Sequence, residues 1–492
     1  MSQSLNLAAI DLGAESGRLM MAALDGRTLR LEEIYRFPNV PVRVLDSLHW
    51  DPLRLFAEIK HGLGLCAKRA GDTLSGIGID AWGVDFALVG RDDELVGNPF
   101  HYRDRRTEGM MEQAFQRVSR EEIFERTGIQ FMPINSLYML LSMAGTPALE
   151  AATTFLMIPD LFNFWLSGQK ACEFTDATTT QLFDQRASDW AWPLIDKLGL
   201  PGRIFLSVTQ PGTVLGPILP AVAEEVGLKS VPIIAPACHD TGSAVAAVPA
   251  RVRDYVYISS GTWSTVGVEI GAPITTPQSL KYNFTNEGGV SGTVRLLKNV
   301  MGLWIVQECR RAWAQAGEEF TYAELAALAE KAAPFAALVD PDHEDFLRPG
   351  DMPARLRNFC AKTGQPTPDD KGALLRCVFE SLALKYRVVI ERIETMLGRR
   401  MEIIHIVGGG SQNRLLCQLT ADATGRLVVA GPVEATALGN VAAQAMALGQ
   451  FASLAEARDV VHNSFELTPY EPRRSAQWGE FYTRFTHLLP AS

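Results

Sequence analysis

The sequence predicts an α/β protein built from two related halves. Strand-like apolar runs alternate with helical patterns along the chain. A strand–turn–strand pattern at the start also returns about half a chain later. The first copy is the apolar run Leu5 to Ile10, ending in Asp11, then the turn Leu12-Gly13-Ala14-Glu15-Ser16-Gly17, then Leu19 to Leu24. The second is Asp254 to Ser259, the turn Ser260-Gly261-Thr262-Trp263-Ser264, then Thr265 to Ile270. At 492 residues the chain is too long for one core, which agrees with two halves.

The other elements follow in order. Asp51-Pro52 reads as an N-cap with Pro at the first helical position, and Leu55, Ile59, Leu63 and Cys66 continue at helical spacing. Ile77 to Asp80 and Val84 to Val89 are strand-like. In the second half Leu375, Phe379, Leu382, Tyr386, Val389, Ile393 and Met396 step by four and three, and Gly398 stands at the C-cap. A strand, Ile403 to Val407, then runs into Gly408-Gly409-Gly410-Ser411, a helix over Asn413 to Thr424 stopped by Gly425, and a strand, Leu427 to Ala430. The halves divide around Pro249 to Asp254.

Composition narrows the function. A net charge of −10 disfavours a nucleic-acid partner, whose phosphates need a basic surface. No apolar run is long enough for a membrane span, and Met1 to Ser4 lacks the basic start of a signal peptide. Seven scattered cysteines form neither a Cys-x-x-Cys pair nor a zinc spacing. A cytoplasmic enzyme is expected, with no nucleic-acid or membrane partner.

Three turns carry chemistry. In Asp11 to Arg18 the glycines let backbone N–H groups approach an anion, Ser16 adds a donor, and Asp11 could hold Mg²⁺ through water. An ordinary hairpin turn explains the same residues equally well. The Ser259 to Ser264 turn repeats both readings, and two such turns facing each other would clamp a polyphosphate. The Gly408 turn suggests a dinucleotide site, but Gly408, Gly410 and Asn413 stand where three glycines belong, and no acidic residue ends the next strand. No Gly-Lys dipeptide occurs, so a Walker A loop is absent. Asp240, in Ala237-Cys238-His239-Asp240-Thr241, reads as an N-cap or as a carboxylate that accepts a hydroxyl proton; both roles are compatible. His239 by itself is more often structural. Gly83, beside Trp82, fits a β-bulge or a backbone opening for a polar ligand.

Taken together, these segments resemble the carbohydrate kinases of the sugar-kinase family, within the actin-, hexokinase- and Hsp70-like ATPases. The match is carried by Asp11-Leu12-Gly13-Ala14, Gly78-Ile79-Asp80, Trp82-Gly83-Val84-Asp85-Phe86, Tyr102-Arg103-Asp104, Thr127-Gly128-Ile129-Gln130-Phe131 and Ala177-Thr178-Thr179-Thr180-Gln181-Leu182. It continues through His239-Asp240-Thr241, Ser259 to Ser264, Thr285-Asn286-Glu287-Gly288-Gly289, Leu297 to Trp304, His405 to Gly410 and Ala430 to Ala435. Within the family these motifs are most similar to the rhamnulokinase subfamily.

The resemblance implies two ribonuclease H-like (actin-like ATPase) domains with an inter-domain active-site cleft. It places a sugar- and phosphate-binding domain at 1–248, an ATP-binding domain at 249–455 and a C-terminal extension at 456–492. It also implies ATP and Mg²⁺ as cofactors and transfer of phosphate to the 1-hydroxyl of L-rhamnulose. Carried over by motif, Ala14, Glu15, Ser16, Gly17, Arg18, Thr262, Gln307 and Gly410 would bind ATP. Gly83, His239, Asp240, Thr241 and Asn299 would bind the sugar, with Asp240 as general base and Asp11 toward the metal through water. Glu15 departs from the subfamily's usual small hydroxyl residue, as Ile134 to Tyr138 does modestly from its usual sequence. A kinase for L-fuculose, L-xylulose or L-ribulose is the alternative, and a non-catalytic sugar or nucleotide sensor the alternative from another class.

Overall fold

A computed structural model describes residues 5–473 and 476–490. The chain forms two compact units. The first contains the chain up to Pro249, Glu269–Leu296 and Ala435–Ser464; the second contains Ala250–Val268, Leu297–Glu434 and the chain from Phe465.

The first unit is built on a mixed sheet of β1 (Leu5–Leu12), β2 (Ser16–Leu24), β3 (Leu29–Pro38), β4 (Leu74–Ala81), β5 (Thr213–Pro217) and β6 (Pro232–Ala235), in the order β5-β6-β4-β1-β2-β3. β1, β4 and β6 are parallel, and β2, β3 and β5 run antiparallel to their neighbours. The parallel strands are buried on both faces, which explains their continuous apolar runs. Helix Pro52–Ala70 begins as the sequence predicts: the Asp51 carboxylate accepts from Arg54 N, Pro52 opens the first turn, and Leu55, Ile59, Leu63 and Cys66 are buried. Helix Ala435–Ala447, distant in sequence, packs on β1 and β4 and on helix Asp240–Ala246. At Gly439 any side chain would run into the Ser243 carbonyl. Gln444 Nε2 donates to Ala8 O at 3.0 Å.

A seven-stranded sheet carries β7 (Tyr255–Ser260), β8 (Trp263–Ile270), β9 (Val294–Met301), β10 (Ile403–Val407), β11 (Leu427–Ala430) and β12 (Thr468–Tyr470) in the order β9-β8-β7-β10-β11-β12, with the strand Thr285–Gly288 at the edge beside β9. β7, β10 and β11 are parallel. Helix Lys371–Leu397 is capped by the Asp370 side chain and ends at Gly398 with φ 66°. Among the described residues no helix is long and apolar enough to cross a membrane.

Two local readings need correction. The strand expected over Val84 to Val89 starts at Phe86, because Val84 has φ 69°. A β-branched residue there is strained, and it is held by Thr179 Oγ1, which accepts from Val84 N at 3.0 Å. Asp240 is the first residue of its helix rather than the N-cap, since His239, with φ −73° and ψ 121°, is the extended residue before it.

Candidate active site

In the first unit the β1–β2 hairpin sets Asp11 opposite Arg18 and Leu12 opposite Gly17. Arg18 Nη2 reaches Asp11 Oδ2 at 2.5 Å. Within the turn Gly13 N donates to Ser16 O at 3.0 Å. Asn39 closes it from outside: its N donates to Glu15 O, and its Nδ2 to Gly13 O, both at 2.9 Å. The carbonyls of Gly13, Glu15 and Ser16 are thereby occupied, while the Ala14 amide has no acceptor among the described residues and stays available to an anion. Glu15 is exposed at the tip. Gly17 has a packing reason as well, because a Cβ there would enter the Phe37 ring.

β4 runs parallel to β1 and places Asp80 in register with Asp11. Asp80 is fully buried, Asn440 Nδ2 donates to its Oδ2 at 2.6 Å, and Oδ1 has no partner. Burial holds its carboxyl well above the usual range, and the charges of Asp11 and Asp240 add to the rise. Beyond β4, Ala81 N donates to Cys238 O at 2.8 Å, which brings the segment before helix Asp240–Ala246 alongside. Gly83 lies against it: a Cβ there would sit 3.1 Å from Thr179 Cγ2 and 3.2 Å from His239 Nε2.

Asp240 therefore faces the end of the central strands. Desolvation raises its pKa against the lowering effect of His239, and the Asp11 charge raises it further. Thr241 Oγ1 donates to its Oδ1 at 3.0 Å. The side chain keeps 28% of its surface open, enough for a ligand to reach it.

His239 is fixed on both sides. Its Nε2 is 3.5 Å from Asp240 Oδ1, and its Nδ1 is 3.1 Å from Arg295 Nη2 and 3.3 Å from Glu287 Oε2. Nδ1 thus faces the Arg295–Glu287 pair, and Nε2 faces Asp240. Arg295 is fully buried, bridged to Glu287 Oε2 at 3.2 Å and donating from Nε to Gly288 O at 2.7 Å. Sequence reasoning gave no role to Arg295, Glu287 or Asp80. Glu287 and Asp80 lie inside recognised motifs, and a lone arginine in the apolar run Val294 to Leu297 was the available signal for Arg295.

In the second unit the β7–β8 turn closes through Gly261 N donating to Trp263 O at 2.9 Å. Leu303 N and Trp304 N donate to the carbonyls of Gly261 and Thr262, each at 3.0 Å, so helix Trp304–Gln315 starts on this turn. Gln307 falls inside that helix, with a buried Oε1 that has no partner. Gly410 lies on the same hairpin, where a Cβ would be 2.6 Å from Ser260 Cβ. Thr262, Gln307 and Gly410 thus surround one turn. Asn299, on β9, accepts from Thr265 Oγ1 at 3.5 Å. Beside it Asp342 accepts from Met301 N and pairs with Lys385, both at 2.8 Å, and burial pushes Lys298 down to about 7.

Comparison with known proteins gives the family. Residues 7–247 match the N-terminal domain, and residues 256–448 the C-terminal domain, of the FGGY family of carbohydrate kinases. The chain belongs to that family and is a phosphotransferase enzyme. It is 44% identical over 486 residues to a rhamnulokinase of Bacteroides thetaiotaomicron, covering 98% of this chain and 99% of that one. It is 42% identical to a rhamnulokinase of Oceanobacillus iheyensis, covering 95% and 98%. Among solved structures, xylulose kinase from Lactobacillus acidophilus has a TM-score of 0.80 at 17% identity, covering 98% of this chain and 96% of the other. Plasmodium falciparum glycerol kinase with ADP has a TM-score of 0.76 at 13% identity, covering 98% and 97%. These two show the fold: two α/β domains of the actin-like ATPase type.

Proposed function

We propose that the chain transfers the γ-phosphoryl group of ATP to the 1-hydroxyl of L-rhamnulose, with Asp240 as general base. The observation that carries this reading is a carboxylate that is open to ligand yet held by Thr241 and His239 at the end of the parallel strands. Relatives named rhamnulokinase, 39–44% identical over nearly the whole chain, support the choice of ketose.

Asp240 Oδ1 or Oδ2 takes the proton of the sugar hydroxyl as that oxygen attacks phosphorus. The raised pKa, from burial and the nearby Asp11 charge, makes the carboxylate a better proton acceptor than an ordinary aspartate. His239 flanks the carboxylate, and Gly83, Thr241 and Asn299 hold the sugar. The Ala14 amide, Ser16, Gly17, Arg18 and Glu15's backbone receive the phosphates, with Thr262, Gln307 and Gly410 on the nucleotide. Asp11 would suit Mg²⁺ as a carboxylate oxygen ligand, in register with Asp80, whose buried Oδ1 has no partner among the described residues. When bound, the ion neutralises charge on the phosphates. Most of the catalysis is positioning and electrostatics.

The test is ADP release with Mg-ATP across L-rhamnulose, L-fuculose, L-xylulose, L-ribulose, D-fructose and glycerol. The expected result is a kcat/KM for L-rhamnulose well above the others. A higher value for another ketose would withdraw the sugar assignment and keep the kinase. No turnover on any of them would overturn the proposal.

A further inference from the structure

The threonine-rich motif Ala177 to Leu182 and the residues before it have no part in the function derived above. Glu173 caps the short helix Phe174–Ala177, accepting from Thr175 N at 3.0 Å and Asp176 N at 3.4 Å. Capping explains only part of its bonding. Oε2 also accepts from Thr175 Oγ1 at 2.5 Å and from Cys238 N, far along the chain, at 3.0 Å. Thr175 Oγ1 in turn accepts from His239 N at 3.0 Å. The two backbone N–H groups directly ahead of Asp240 therefore end on one buried pair.

The next two hydroxyls repeat the device. Thr179 Oγ1 donates to Asp176 O at 2.8 Å and accepts from Val84 N, the residue after Gly83, at 3.0 Å. Thr178 Oγ1 donates to Thr175 O at 3.0 Å and accepts from Gly288 N, the residue after Glu287, at 2.8 Å. Glu173, Thr175, Thr178 and Thr179 are all at most 4% exposed. A hydroxyl donates and accepts at once, so each threonine fastens a remote segment to the 173–179 turn.

Satisfying buried amides is an ordinary duty of buried hydroxyls. What sets these apart is where they lead: three hydroxyls reach His239 itself and the neighbours of Gly83 and Glu287. Thr180, also fully buried, supplies the internal contrast. Its Oγ1 donates to Ala177 O at 2.6 Å and accepts from Leu182 N at 3.1 Å, bonds that stay within its own turn.

We propose that Thr175, Thr178 and Thr179, anchored by Glu173, are positioning residues that set the geometry of the base and of the sugar-binding backbone around it. This rests on the reading of Asp240 as the base. An isosteric valine leaves an amide unpaired, and the segment it held relaxes away from the reacting geometry.

The experiment uses the full chain with T175V, T175S, T179V, T179S, T180V and D240N. For each, Tm, ATP affinity and the kcat and KM for L-rhamnulose are measured. T175V is expected to lose about tenfold or more in kcat, with ATP affinity kept within about twofold and T175S restoring most of the loss. T179V is expected to raise the ketose KM about fivefold, from one lost hydrogen bond, and T179S to reverse it. T180V is expected to lower Tm while leaving both constants alone. Equal kinetic losses in T175V and T180V, or a T175S no better than T175V, would overturn the proposal. If T175V does not fold, the T179V and T179S pair decides through the ketose KM. Normal turnover in D240N would remove the base assignment instead, and the T179 pair would still judge the clamp.

Discussion

Replacing Gly410 by alanine tests the nucleotide half of the proposed function directly. The added methyl would lie 2.6 Å from Ser260 Cβ and 3.0 Å from Ser260 O, and on top of Ser260 Oγ. Rotating the serine moves Oγ but neither Cβ nor the carbonyl, which belong to the end of β7. Carbon contacts relax near 3.5–4.0 Å, so the Gly408 to Gln412 turn must retreat by about 1 Å. Overpacking of this kind costs about 1–3 kcal/mol. If the turn holds nucleotide, that cost appears as an ATP KM about 5- to 150-fold higher. The ketose KM at saturating ATP should change less than about twofold. Initial rates with varied ATP and a thermal melt give the numbers. S260G in the same chain removes both Oγ and Cβ, so the double variant should recover most of the ATP affinity. An unchanged ATP KM with a lowered Tm, or a double variant as weak as G410A, would refute the reasoning.

Three more outcomes are expected. D240N should lower kcat by at least about 100-fold with ATP binding intact, and in the wild type kcat/KM should fall with unit slope as pH drops through the raised pKa of Asp240, measured by ADP release. Asp85 is buried with its carboxyl pushed up to about 7 despite hydrogen bonds from the indole N–H groups of Trp50 and Trp82. The folded state binds that proton more tightly than the unfolded chain, so its contribution is full below pH 4 and lost as pH rises through 7. Urea melts of D85N should therefore show a flatter stability profile between pH 5 and 8 than wild type. G83A, whose methyl meets Thr179 and His239 at 3.1–3.2 Å, should raise the ketose KM and leave the ATP KM unchanged in the same rate assay.

The sheet strands and main helices were legible because their signals are local. Ile403–Val407 and Leu427–Ala430 are short apolar runs between turns, and Lys371–Leu397 combines a clean stripe with a terminal glycine. Val84 was not, because valine argues for strand and only the distant Thr179 hydroxyl holds it left-handed. The one-residue shift at Asp240 has the same character: a carboxylate at the first helical position and one at the N-cap look alike in sequence. In the candidate site, the turn residues and Asp240 stood out by chemistry. Arg295, Glu287 and Glu173 did not, since a buried charge is identified by what surrounds it, and the His239 and Cys238 they meet lie far along the chain.

The position of helix Ala435–Ala447 has a consequence for how the protein is made. Asn440 and Gln444 donate to Asp80 Oδ2 and Ala8 O, and Gly439 packs on Ser243, so the first unit lacks a wall until that helix exists. A ribosome needs about 10–40 s to travel from Pro249 to Ala447. Throughout that interval the nascent first unit presents to the cell a bare strand face and Asp80 without its Asn440 partner. Its folding therefore waits for translation past Ala447, and a message broken before the codon for Ala435 yields a chain that chaperones and proteases should recognise.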